Sequence, residues 1–200
     1  MPSLKSPSAS ETAVAKMTPA EYLEFERNSE EKHEYINGEV IAAAGGTRTR
    51  NWLAMKISAR LFDFLERNKS DCVVYNGDQK ILVEATGNYY YPDCSIICGD
   101  KPFVEEDVAT DALVIIEALS DSTEEKTRSI KFEEYQLLPS LREYALVSQK
   151  KPLVEIFRKE TKNEWRYVRY DESNPTIRIE SVGFEMSIND LYDFLKTKRQ

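Results

Sequence analysis

The chain has 200 residues and a hydrophobic content of 41%, which is too apolar for a disordered chain and enough for a domain with a sizeable core. A formal net charge of -8 argues against a protein that coats nucleic acid, although a local basic rim and bound cations leave room for a nuclease. His33 is the only histidine, which excludes His-rich zinc sites and HExxH proteases and leaves any Ser-His-Asp or Cys-His nucleophile system to that one residue.

Residues 1–16 are rich in Ser, Ala and Pro and read as a flexible arm without the apolar core of a signal peptide. Residues 17–200 read as a single domain. The first helix is marked by Thr18 at the N-cap, Pro19 at the first helical position and Glu21 completing a capping box, and it runs to about Asn28. Glu34 to Ile41 reads as a β-hairpin turning at Asn37-Gly38. After a Gly45-Gly46 break, Leu53, Ile57, Leu61, Phe64 and Leu65 recur at helical spacing within a helix of about 48–68.

Strands are expected at 72–75, 79–83, 90–97 and 113–119, with an acidic loop over 100–111. A third helix is expected after Ser120-Asp121-Ser122-Thr123, capped by Ser122 with Glu125, and ended by Pro139. Further strands follow at 143–148, 153–158, 165–170 and 176–179, then a helix over 188–195 with Ser187 and Asp190 as its capping box. The pattern is α+β: a central mixed sheet flanked by helices. No stretch reaches the length of a membrane span, and Cys72, Cys94 and Cys98 lack the spacing of a disulfide framework. The expectation is a soluble, reduced, cytoplasmic protein, with Cys94 and Cys98 as packing residues and His33 as a surface or capping residue. The run Tyr89 to Tyr91 could stack bases or pack beside a hairpin.

Two carboxylates stand out. Asp93 follows Pro92, which cannot donate to a sheet ladder and suits a strand start or a turn. Glu117 lies inside the apolar run Val114 to Leu119, where it must be paired, protonated, metal-bound or at the floor of a cleft. Lys131 follows on the third helix, and Arg128, Lys131 and Tyr135 are spaced to share one helical face. Two carboxylates can hold Mg²⁺ or Mn²⁺ while leaving positions open for water and phosphate oxygens, and a lysine can orient the water or stabilise negative charge. Glu34 could be a further metal ligand or pair with a neighbouring base, and Gln79 could bind water or phosphate. Arg48, Arg50 and Asn51, at the start of the second helix, could meet an anion.

At these residues the chain resembles the Uma-two family of restriction-endonuclease-like proteins, within the PD-(D/E)XK nuclease superfamily. The resemblance runs in order through Thr18-Pro-Ala-Glu-Tyr, Glu34-Tyr-Ile-Asn-Gly-Glu, Tyr91-Pro-Asp93, Ile116-Glu117-Ala-Leu-Ser-Asp-Ser-Thr, Lys131-Phe-Glu-Glu-Tyr135 and Pro139-Ser-Leu-Arg-Glu-Tyr144, over about residues 17 to 196. It implies a restriction-endonuclease-like core with Asp93 and Glu117 as the acidic pair. Leu119 stands where the superfamily's simplest pattern has a lysine, and the family's helical lysine falls here on Lys131. Asn51 replaces a common histidine and Thr127 a common aspartate, which bears on rate, metal preference or substrate choice.

The function expected is that of a Mg²⁺- or Mn²⁺-dependent endonuclease hydrolysing DNA phosphodiesters by water attack. Asp93, Glu117 and Glu34 would hold the metal, Lys131 would assist catalysis, and Gln79, Asn51 and Arg128 would be auxiliary or phosphate-binding. A catalytically silent binding or assembly module on the same fold and a small phosphate-ester hydrolase are the alternatives. A homodimer stays open, since endonucleases of this fold often pair to cut both strands.

Overall fold

The computed structural model describes residues 13–43, 46–99, 103–119, 124 and 127–197. Helix α1 spans Pro19–Arg27 with the expected capping box at Thr18 and Glu21, and helix α2 spans Arg48–Arg67 behind Thr47 as N-cap. Strands β2 (His33–Ile36) and β3 (Glu39–Ala42) form the expected hairpin. Asn37 and Gly38 turn it with φ of 53° and 85°, the left-handed geometry that an Asn-Gly pair tolerates. Ala13–Lys16, the end of the expected flexible arm, is instead strand β1 on β3.

Strands β4 (Cys72–Asn76) and β5 (Lys80–Val83) lie where their patterns place them. The single strand expected over 90–97 is two: β6 (Asn88–Tyr90) and β7 (Cys94–Cys98). Pro92 has no N–H to continue a ladder, so the chain breaks at Tyr91-Pro92-Asp93 and crosses from one sheet to the other. The region read as an acidic loop carries the small hairpin β8 (Phe103–Glu105) and β9 (Val108–Ala109). Arg27 pairs there with Glu105 and Asp107, and Lys80 pairs with Asp107, so its acidity is locally neutralised.

Strand β10 covers Val114–Leu119. The capping box expected at Ser122 and Glu125 lies outside the described residues. Thr127–Lys131 form a π-helical turn and continue into α3 (Phe132–Tyr135). Strands β11 (Glu143–Ser148), β12 (Val154–Lys159), β13 (Trp165–Tyr170) and β14 (Thr176–Ile179) follow, then β15 (Phe184–Ser187), which pairs with β14. The expected C-terminal helix is split at Tyr192 into α4 (Ile188–Leu191) and α5 (Asp193–Thr197), and the Tyr192 hydroxyl lies within hydrogen-bond distance of the carbonyls of Ser148 and Leu153. Ser187 caps α4 through the N–H of Asn189, not through a box with Asp190.

The architecture is α+β, with two large mixed sheets where one was expected. One runs β1-β3-β2-β6-β5-β9-β8, and the other β13-β12-β11-β10-β7-β4. In the second sheet β10 and β11 are parallel and the other pairs antiparallel. Alternation along β10 sends Val114, Ile116 and Ala118 to a core under the α2 stripe of Leu53, Ile57, Leu61 and Leu65. Ile115 and Leu119 go to the opposite core with Tyr90, Tyr135 and Tyr144, and Glu117 shares their parity.

Cys72 and Cys98 face each other across β4 and β7 and form a disulfide, so the packing role expected of Cys98 and the reduced state are corrected. The pairing depends on strand register, which the spacing of the cysteines does not reveal. Cys94 is a buried thiol, and its burial pushes it up to about 12. Among the described residues no helix is long and apolar enough to cross a membrane.

Leu61 is fully buried between α2 and the second sheet. Leu61→Ala is expected to destabilise the fold by about 3 kcal/mol through lost burial and the cavity it leaves, read as a lower urea midpoint at unchanged m-value.

Candidate functional site

Register brings the acidic pair together. β10 lies antiparallel to β7 with Ile116 opposite Cys94, and continuing by one residue puts Glu117 opposite Asp93. The N–H of Ala118 donates to Asp93 Oδ2 at 2.8 Å, fixing that carboxylate against β10 just past the sheet crossover.

Lys131 comes from the π-helical turn. Its Nζ is 3.0 Å from Glu117 Oε1 and 2.6 Å from Glu34 Oε1, and it stands over the Tyr90 ring at 5.8 Å from the centroid. The Tyr135 hydroxyl donates to the same Glu117 oxygen at 3.3 Å. The Glu117 side chain is 1% exposed and those of Lys131 and Glu34 are 7% exposed, so this ionic chain is shielded from water. On the other flank Arg50, in the first turn of α2, places Nε 3.0 Å from both Asp93 oxygens. Its Nη2 is 2.9 Å from Asp93 Oδ1 and 4.0 Å from Glu117 Oε2.

Burial pushes the Glu117 carboxyl up to about 7; the Lys131 ammonium opposes this, and the charge of Asp93 adds to it. Burial alone would lower Lys131, but Glu117 and Glu34 outweigh it and hold the ammonium above the ordinary lysine range. Tyr135 is raised well above its usual value by burial and then by the two glutamates, so it stays a donor. A cleft of about 420 Å³ opens onto Asp93 and Arg50, with Lys32, Asn51, Asn76 and Tyr91 among its walls.

Asp93, Glu117, Lys131 and Glu34 therefore meet in one cluster. Glu34 reaches it through Lys131, and among the described residues no group of three or more His, Cys, Asp or Glu is arranged to hold a metal ion. Gln79 is directed elsewhere: its amide donates to the carbonyls of Lys80 and Asp107. Arg128 also leaves the cluster, pairing with Glu124 and Glu155. The face expected to hold Arg128, Lys131 and Tyr135 assumed α-helical winding, and the π-helical turn is wider. Asn51 lies on the cleft wall against Gly46, where a Cβ would collide with its side chain.

Arg50 is the larger finding: the sequence marks it as an anion contact, but it is the counter-ion joining Asp93 to Glu117. His33 is buried, not superficial. Glu26 Oε1 accepts from the His33 N–H and from the Tyr91 hydroxyl, each at 2.9 Å, while Oε2 lies 3.0 Å from His33 Nδ1. Tyr89 and Tyr90 are packing residues, and Tyr91 is held by Glu26 at the cleft's edge.

Comparison with known proteins places the chain in a family. Residues 19–189 match the model of the Uma2 family, described as "Putative restriction endonuclease". The chain is 31% identical over 177 residues to the uncharacterized protein slr1290 of Synechocystis sp., covering 88% of this chain and 92% of that one. It is 32% identical over 151 residues to the uncharacterized protein sll1609 of the same organism, covering 74% and 84%. A crystal structure from Anabaena variabilis, described as a putative nuclease belonging to DUF820, superposes with a TM-score of 0.73 at 16% identity over 90% of this chain and 99% of that one, and so shares the fold. The chain belongs to the Uma2 family.

Proposed function

We propose that the protein is a divalent-cation-dependent endonuclease that hydrolyses phosphodiester bonds of DNA by water attack. The observation that carries this reading is the pairing of Asp93 with the buried Glu117, beside an ammonium that is itself held by two carboxylates. The donor set fits Mg²⁺ or Mn²⁺: two hard carboxylates, with the remaining positions left to water and phosphate oxygens. Such a cation supplies polarisation of the phosphoryl group and acidification of water.

The chain's own residues do the rest. Asp93 and Glu117 would hold the cation. Glu117 Oε1 is already engaged by Lys131 and Tyr135, which fix its orientation. Lys131 is kept charged, so it acts as a donor that stabilises negative charge on the phosphate oxygens and not as a proton acceptor. Glu34 holds Lys131 Nζ and so positions it beside the acidic pair. The cleft beside Asp93 admits the backbone, with Lys32 and Asn51 on its walls.

A second reading, a catalytically silent binding module, draws on Arg50 joining the two carboxylates without a metal and on the net charge of -8. Titration calorimetry with Mn²⁺ separates the two. Saturable binding is expected in the wild type and lost in Asp93→Asn/Glu117→Gln, together with cleavage of duplex oligonucleotides. Lys131→Ala is expected to keep Mn²⁺ binding while slowing cleavage about 10²- to 10³-fold. Absent binding in the wild type, also with an oligonucleotide present, would sink the nuclease reading.

Glu117 also leaves a mark on stability. Its carboxyl is raised in the folded state from an ordinary 4.5 to about 7, so the folded state holds this proton more tightly than the unfolded chain. The resulting stabilisation is complete below pH 4.5 and is lost as pH rises through 7. Relative to Glu117→Gln, the wild type is expected to lose stability across that window and to run parallel above it, as read from urea midpoints at successive pH values.

A further inference from the structure

Arg50 holds the carboxylate oxygens that a cation would need. Its guanidinium spans Asp93 Oδ1 at 2.9 Å and Glu117 Oε2 at 4.0 Å, and Arg50 and Asp93 line the cleft. The remaining oxygens are also engaged: Asp93 Oδ2 accepts from the N–H of Ala118 and from Arg50 Nε, and Glu117 Oε1 from Lys131 and Tyr135. A cation bridging the two carboxylates and the Arg50 guanidinium therefore exclude each other.

Charge balance makes the exclusion an exchange. The cluster has the carboxylates of Glu34, Asp93 and Glu117 against the cations of Lys131 and Arg50. A divalent ion in place of Arg50 balances three negative charges with three positive ones. Retaining both would leave an excess positive charge in a site whose Glu117 side chain is 1% exposed, where screening is weak. Arg50 sits in the first turn of a 20-residue helix that lines the cleft, so a released side chain has the cleft to enter. Its fork geometry suits two oxygens of one phosphate.

We propose that Arg50 is a displaceable internal counter-ion: it closes the Asp93–Glu117 pair without metal, and a divalent ion turns it into the cleft to bind a backbone phosphate. Cation and polyanion then bind cooperatively, each favouring the same position of one side chain. This rests on the reading of Asp93 and Glu117 as cation ligands, and the experiment distinguishes the two.

The first measurement is Mn²⁺ calorimetry on the wild type, Arg50→Gln and Asp93→Asn, with Ca²⁺-supported binding of a duplex oligonucleotide measured in parallel. Arg50→Gln is expected to bind Mn²⁺ about tenfold more tightly because a competitor is gone, and to bind the oligonucleotide about tenfold more weakly. Wild-type Mn²⁺ binding that is lost in Asp93→Asn but unchanged or weakened in Arg50→Gln would overturn the counter-ion alone. No Mn²⁺ binding in the wild type or in Arg50→Gln would overturn the ligand reading and the counter-ion with it. The wild-type NMR signal of the Arg50 Nε–Hε group gives a test free of any variant's folding. It is expected to shift as Mg²⁺ saturates the site, and a signal that stays in place at saturation would overturn the exchange.

Discussion

Burying the Glu117 carboxylate in the middle of β10 is the constraint around which the site is organised. An ionised carboxylate there costs several kcal/mol unless donors and cations compensate it. The compensation comes from distant parts of the chain: Lys131 and Tyr135 follow β10, Arg50 comes from α2, and Glu34 on β2 completes the chain through Lys131. Glu34 belongs to the first large sheet and Glu117 to the second, so the ion chain ties the two sheets together. Removing one member leaves the others' charge buried and uncompensated, a loss in the range of about 3–5 kcal/mol. Replacing the whole set with well-packed apolar residues would often cost nothing. A fold needing only stability has no use for this cluster, which is a physical reason to look for chemistry there.

Two local backbone features aim the side chains. The first is Pro92, which lies past the end of β6 and just before Asp93, the residue that leads into β7 in the other sheet. Register then sets Asp93 beside Glu117 with no further device. The second is the π-helical turn at Thr127–Lys131. Its wider winding separates Lys131, which turns inward to the carboxylates, from Arg128, which turns outward to Glu155. The Tyr144 hydroxyl donates to the carbonyl of Thr127 at 2.8 Å and so ties the start of the turn to β11.

Features written within a few residues were legible in the sequence. The Thr18–Glu21 capping box, the Asn37-Gly38 turn and the α2 stripe are local, and each appears as expected. Glu117 and Asp93 are legible because a charged residue in an apolar run, or beside a strand-ending proline, stands out locally, whereas Lys131 is marked by its place on the element after the Glu117 strand and by the family resemblance. What stayed hidden depends on partners far along the chain. The Cys72–Cys98 bond needs the β4–β7 register, and the burial of His33 needs Glu26 and Tyr91. The β8–β9 hairpin hides in an acidic segment because Arg27 and Lys80 neutralise it from elsewhere. The π-helical winding has no sequence rule comparable to a cap, which is why Arg128 was grouped with Lys131.

The overall acidity and the local cations act at different distances. At physiological salt the screening length is about 8 Å, far shorter than the roughly 30 Å length of a 20-residue helix such as α2. The net charge of -8 therefore governs the approach of a polyanion and slows it, without setting the potential inside the cleft. Much of the surface acidity is also paired, as in Arg166 with Glu160 and Glu180, and Arg178 with Glu185. At contact a phosphate meets Lys32, Asn51 and the edge of the Arg50–Asp93 pair. Lys32 is itself paired with Asp78, so its charge is largely spent. Affinity for a polyanion then has to come from charge released when the site is loaded, which makes binding conditional on the cation and not a standing property of the surface.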